Sequence, residues 1–315
     1  MALIPGMMRT SPSHLTDLRH NPALWLASLG IFAASLGFGL VPFFSRSLTD
    51  QGIAPHAVAA YRYVFNAIVL LPIILINLHQ WRGMLWGAVA GALMGLGAIG
   101  YITALETVPV STVGVLYMTY PVFTVLLAWL FFRDHPSARA IVSALIIVLA
   151  AAIASSPVAI SPDQLPTLLL SLTAPIGFGF GICTLVHKLS SIKPLARVAS
   201  VSLGALLGLT PLIVVTPAAE LFPRDTADWM LIAGIALGTA FFPMLIYCIC
   251  SPMIGTSRSA VIGSIELPTF FLVGLIAFGE AITWPQATAC AMILFAIAIT
   301  PSKSARNVAG NLTRP

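Results

Sequence analysis

The chain has 315 residues, of which 8% are charged and 58% hydrophobic, and it carries a formal net charge of +5. A water-facing domain carries about 25% charged residues, so this composition excludes an ordinary soluble surface and points to lipid. The basic residues are scattered over the ends of apolar runs, a distribution that excludes nucleic acid as a partner.

Residues 1–21 hold Arg9, Arg19 and His20 and no apolar core, and are expected to form a cytoplasmic tail and not a secretory signal. Ten apolar runs follow, expected as helices over 22–44, 55–77, 82–104, 110–132, 136–155, 164–187, 195–216, 227–250, 257–279 and 282–300. Each supplies the about 20 residues that cross about 30 Å of hydrocarbon. Lipid offers no hydrogen-bond partner to the backbone, so helices are the expected spanning form. The fold class expected is an all-α membrane protein of ten transmembrane helices. Residues 301–315 are expected as a second cytoplasmic tail.

Glycine spacing marks where these helices meet. Gly83, Gly87, Gly91 and Gly95 recur every four residues on the third span, Gly204 and Gly208 share the seventh, and Gly234 and Gly238 the eighth. Small residues four apart give a smooth face on which two backbones approach closely, as static packing or as a sliding surface. With the N-terminus in the cytoplasm, twelve of the fifteen Lys and Arg residues fall on the cytoplasmic side. Only Arg46 and Arg224 fall opposite, and Arg62 lies within a span. That bias puts both termini inside and supports an even number of crossings.

The chain repeats itself loosely. Residues 109–132, followed by Asp134, resemble residues 256–279, followed by Glu280. Aligning Pro121 with Pro268 sets Thr112 against Ser259, Tyr117 against Ser264 and Thr119 against Glu266, with the acids one position out of register. The period is five helices. An odd period inverts one half relative to the other, giving expected five-helix repeats over 22–155 and 164–300.

Polar residues within the spans are the candidate site. Glu266 lies about ten residues into the ninth span, where an isolated acid costs about 3 kcal/mol on insertion scales. It is expected to face a cavity, binding a cationic group or carrying a proton, or to stay protonated against a neighbouring helix. Arg62 lies about seven residues into the second span, close enough to an end to snorkel. It is expected to gather an anionic group, to pair with an acid such as Glu106, or to serve as an anchor. Tyr101, Tyr117, Thr119, Ser264 and Asn66 are the expected cavity lining, with Tyr120 and Tyr247 as further aromatics able to stack on a solute and hydrogen-bond it. Pro121 and Pro268 are expected to kink their helices. Asp134 and Glu280 end the fourth and ninth spans and are expected to gate opposite faces. His187 at the end of the sixth span reads as a helix cap or a proton relay. Cys183, Cys248, Cys250 and Cys290 all lie in apolar runs, which reads as buried thiols.

Together, the segment from Ala104 to Asp134, its partner from Ser251 to Glu280, and Ala59-Ala60-Tyr61-Arg62 on the second span resemble the drug/metabolite transporter superfamily, in its ten-helix EamA-type members. The resemblance covers about 23 to 300. It implies a secondary transporter of a bacterial inner membrane, usually an exporter of small metabolites such as amino acids or amphiphilic compounds. Transport would run by alternating access through a midplane cavity, with protons as a candidate coupling ion. It implies no cofactor, no metal and no enzymatic activity, and a monomer or homodimer. A channel needs a continuous polar stripe, and a membrane enzyme needs convergent acids, histidines or metal ligands; neither pattern is written in the spans.

Overall fold

The structure is a computed structural model, and it describes residues 22–105, 110–154 and 162–300. The two expected tails and Glu106 lie outside the described residues. Everything regular among those residues is helical. The first pair is α1 (Pro22–Gly39) and α2 (Val41–Asp50), followed by α3 (Pro55–Val69) and α4 (Leu71–Ile76). Next come α5 (Trp81–Leu105), α6 (Val110–Tyr117), α7 (Tyr120–Phe132) and α8 (Ala138–Ala154). After these come α9 (Leu165–Ser171), α10 (Thr173–His187), α11 (Pro194–Val215) and α12 (Thr226–Ala236). A π turn (Leu237–Phe241) joins α12 to α13 (Phe242–Ile254). The chain ends in α14 (Thr256–Gly263), α15 (Glu266–Phe278) and α16 (Trp284–Ile299).

Six stretches among the described residues are long and apolar enough to cross a membrane: 22–50, 78–104, 162–187, 194–215, 226–254 and 256–278. The other expected spans take shorter or broken forms. The stretch at 55–77 breaks at Leu70, and 110–132 breaks at Met118-Thr119. The runs at 136–155 and 282–300 become the 17-residue α8 and the 16-residue α16, which pack on each other. Apolar side chains cover the surface as well as the core. Val214, Leu130 and Ile276 are exposed, while Asn66, Arg197 and Glu266 are buried. All six tryptophans are exposed as well.

Proline explains where helices break. It has no N–H, and its ring crowds the carbonyl four residues back, so it fits best in a first turn. Pro42, Pro72, Pro121 and Pro243 each occupy the first two positions of a restarted helix. Pro268 is the third residue of α15. The expected kinks at Pro121 and Pro268 are therefore breaks, with a fresh helix starting just before each proline.

The breaks also set a repeat. One offset of 146 residues relates Val110 to Thr256, Tyr120 to Glu266 and Ala138 to Trp284, the starts of α6–α8 and α14–α16. Each central helix ends in a left-handed residue, Arg133 (φ 53°) or Gly279 (φ 68°). The next N–H then reaches back to the carbonyl six residues earlier, from Asp134 to Ala128 and from Glu280 to Gly274, at 3.0 Å in both. This is one closing motif used twice. The proline alignment is thus one residue off, and the helix bounds bring Asp134 and Glu280 into register.

The glycines of α5 form a contact seam. A Cβ on Gly91 would strike the carbonyl of Val201, and one on Gly95 the carbonyl of Ala205. From the other side, Gly204 and Gly208 face the carbonyls of Ala88 and Ala92. Gly97 and Gly177 do the same between α5 and α10, against Thr173 and Leu93. Backbone meets backbone here, so neither side can yield by rotating a side chain. Gly91→Leu should lower stability by at least about 1–3 kcal/mol through overpacking. Gly114, with open space around its Cβ position, should tolerate alanine. Thermal unfolding in detergent checks the contrast, and equal effects would contradict the seam.

Candidate functional site

The breaks in α6/α7, α12/α13 and α14/α15 bring polar side chains to the middle of the molecule. Glu266 opens α15 and is 2% exposed, and its Oε1 has no hydrogen-bond partner among the described residues. Arg62 on α3 donates from Nη2 to the carbonyl of Thr239 in the π turn at 3.3 Å, while its buried Nε has no partner. The two form no ion pair, yet the Glu266 carboxylate lies within electrostatic reach of Arg62, Tyr117, Tyr120 and Tyr247. Asn66, one turn beyond Arg62, donates from Nδ2 to Ser202 Oγ at 3.3 Å, and its Oδ1 is unpartnered. Buried polar atoms without partners are costly and uncommon. Glu266 Oε1, Arg62 Nε and Asn66 Oδ1 are three such atoms.

The walls of this centre are aromatic. Tyr117 packs on Tyr101 (5.9 Å between centroids), Tyr120 (5.8 Å) and Phe178 (6.0 Å). Phe178 stands edge-on to Tyr120 at 4.9 Å and continues to Phe38, which meets Tyr247. Phe38, Phe178 and Tyr247 also border a cavity that is almost wholly apolar and has room for about one water molecule. Met94, Val201 and Met244 are also among its walls, and Glu266, Tyr117 and Ser264 do not border it.

Two tyrosine hydroxyls spend their hydrogen bonds on the break before α15. Ser264 N–H turns to the Val261 carbonyl, and Tyr120 donates to the carbonyl of Ala260 at 3.1 Å. Tyr247 donates to that of Ser259 at 2.9 Å. Ser264 is fully buried and its own hydroxyl also reaches Ala260. Thr119 donates within its own turn to Leu116 at 2.5 Å. Tyr101 stands at the edge, beside the small cluster of Ala104, Val113 and Leu168.

A further pattern was hidden from sequence reasoning. Pro243 and Pro252 each withdraw an N–H from the carbonyl four residues back, that of Thr239 and of Cys248. Each of these carbonyls receives an arginine: Arg62 for Thr239 and Arg197 for Cys248. Arg197, one of the twelve basic residues expected on the cytoplasmic side, is only 6% exposed. Its other nitrogens donate to the carbonyls of Ile192 (2.7 Å) and Ser190 (2.6 Å). Arg258, counted likewise, is buried and joins Ser28 Oγ and the Thr300 carbonyl. The spacing of Thr239 before Pro243 was the available signal for the first; the partners' identities were not written locally.

The two acids stand far from this centre, at helix ends. Asp134 accepts from Thr256 Oγ1 at 3.1 Å and lies 3.4 Å from His187 Nε2, whose ring stacks on Phe132. Glu280 pairs with Arg46 at 3.0 Å, with both side chains more than half exposed. Arg46 also lies over the Phe278 ring at 4.4 Å. Each acid thus links its own helix end to another helix.

Residues 25–156 match the EamA-like transporter family. The chain is 26% identical to an uncharacterized transporter of Synechocystis sp., over 69% of this chain and 67% of that protein. It superposes on a solved crystal structure with a TM-score of 0.72, over 92% of this chain and 99% of the other, at 17% identity, a likeness of fold alone.

Replacing either stitching tyrosine by phenylalanine removes a hydroxyl from a buried carbonyl. Tyr120→Phe and Tyr247→Phe should each cost about 1–3 kcal/mol. A shift in unfolding midpoint in detergent reads it; two unshifted midpoints would mean that the break holds itself.

Proposed function

We propose that this chain, a multi-pass membrane transporter of the drug/metabolite transporter superfamily, carries small metabolites of the amino-acid or related amphiphilic class through the centre between Arg62 and Glu266. The observation that carries this reading is the unjoined pair itself. A buried carboxyl group and a buried guanidinium share this centre without an ion pair, each with a buried atom unpartnered. A solute with an ammonium group for Glu266 and a carboxylate for Arg62 completes both. Its apolar body would lie on Tyr117, Phe178 and their neighbours, where ring faces also favour a cation.

The apolar space present has room for about one water, and solute sites run to about 300–1,000 Å³. The helices must therefore part for a solute to enter, which favours alternating access over an open pore. The matched triplets α6–α8 and α14–α16, with their shared closing motif, support two inverted five-helix halves. The Lys and Arg bias supports cytoplasmic termini, and the resemblance of the sequence supports export across a bacterial inner membrane. Asp134 and Glu280 serve as gates at opposite ends, and Glu266 alternates between solute and proton.

Counterflow in proteoliposomes tests the reading with labelled α-amino acids beside amines and carboxylic acids lacking the second group. Arg62→Gln should raise KM about 10- to 100-fold for carboxylate-bearing solutes, the effect of losing one charged hydrogen bond, and leave simple amines little affected. Glu266→Gln should abolish the dependence of transport on pH. Equal transport of all three solute classes by both variants would end the two-ended site, and an unchanged pH profile would end the proton role.

A further inference from the structure

We propose that the strip of α10 left open between α5 and α7 binds one anionic phospholipid, with its head group on Lys188 and Arg82 and an acyl chain along Phe180 and Ile176. The strip follows from the glycines of α10. Gly177 and Gly179 stand about 200° apart around the helix, and each seats a different neighbour. A Cβ on Gly177 would strike the Leu93 carbonyl of α5, and one on Gly179 would lie 3.0 Å from the Thr124 nitrogen of α7. The two walls thus close on opposite flanks of α10. Phe178 takes the inner face, among the central rings. Ile176, exposed, and Phe180, half-buried, are left on the outer one.

The strip ends in cations. Lys188 follows α10, and its Nζ lies 5.3 Å from the centroid of the Trp86 ring. Arg82, one turn before Trp86 on α5, stands 5.5 Å over the Trp81 ring. Both cations are exposed, and neither pairs with an acid among the described residues. Asp134, the acid at the end of α7, is nearly buried and turned to Thr256 and His187. Just beneath the cations one row of rings crosses all three helices: Trp86 meets Phe180 at 6.4 Å, and Phe180 meets Phe132 of α7 at 6.1 Å. Below the row the surface is apolar, with Val89 and Leu93 exposed on α5. Tryptophan favours the head-group level, and basic residues there attract anionic lipid.

Length and charge together select the occupant. From Lys188 back to Ile176 the helix rises about 18 Å, close to the about 15 Å of hydrocarbon in one leaflet. The strip therefore has the depth of one lipid, with charge at one end and none along it. A small solute would leave most of that depth bare. A second copy packed by two-fold symmetry across the membrane normal would set Lys188 and Arg82 of both copies against each other at the same depth, which like charges oppose. A phospholipid with an anionic head meets both the cations and the apolar strip. The site stands apart from the centre at Arg62 and Glu266 and does not rest on the proposed solute.

Native mass spectrometry of the purified chain, titrated in detergent with phosphatidylglycerol or phosphatidylcholine, tests the site. One phosphatidylglycerol should bind about 25-fold more tightly than phosphatidylcholine, at about fivefold for each basic residue near an anionic group. Lys188→Gln and Arg82→Gln should each lose about fivefold of that preference, and Lys188→Arg should keep it. Arg139→Gln, on α8 beside α16, should leave it unchanged. In nanodiscs of phosphatidylcholine doped with phosphatidylglycerol that carries a diazirine at the chain end, photolabelling should concentrate in 89–96 and 173–180. Equal binding of the two lipids, or an equal loss on Arg139→Gln, overturns the site. Label spread evenly over the lipid-facing segments does the same. A dimer mass in place of the lipid adduct overturns it in favour of a second copy on the strip.

Discussion

The molecule is governed by one account that must balance: every backbone N–H and C=O in apolar surroundings needs a partner within the protein. A continuous helix meets that demand along its own axis. This chain breaks the axis repeatedly with proline, and each break leaves carbonyls to be collected by something else. Hydroxyls collect Ala260 and Ser259, and guanidinium groups collect Thr239 and Cys248. The polar side chains at the centre are therefore not decoration on finished helices. They are part of what lets helices be broken at membrane depth at all.

The same account separates stiff regions from loose ones. Along α5 the glycines let backbones touch α10 and α11 directly, and there is no flexible side chain in the seam to absorb a shift. Around the π turn Gly37 comes close to the Gly238 carbonyl, and Arg62 adds a hydrogen bond of 3.3 Å to the carbonyl of Thr239. Close-packed backbone resists deformation.

Much of this was legible in the sequence. The glycine spacing of α5 predicted its seam, since four-residue periodicity is a local property of a helix face. The depth of Glu266 and the positions of Asp134 and Glu280 followed from counting along apolar runs. Other features were not local. Arg197 and Arg258 stand in first turns, where charge ordinarily meets water, and only the fold reveals that distant carbonyls enclose them. Prolines are poor landmarks for the register of the repeat. Pro121 is the second residue of its helix and Pro268 the third, so the conserved geometry lies in the helix bounds and not in the prolines. Phe178 was passed over because a single phenylalanine between glycines carries no signal of the ring cluster that it joins.

A buried acid and a buried base that do not touch pose a last question of energetics. Desolvating both is expensive, and direct contact with good geometry is what ordinarily offsets the cost. Here Arg62 is held back by the Thr239 carbonyl, and Glu266 is fixed at the start of α15, in the break that Tyr120 and Tyr247 stitch. Keeping them apart forfeits stability that closing the gap would return. Such a forfeit makes physical sense when a third body bridges the two charges, because a pair already satisfied by itself would first have to be broken. The stitched break and the proline-freed carbonyl serve one end: they keep a buried carboxyl group and a buried guanidinium from pairing with each other.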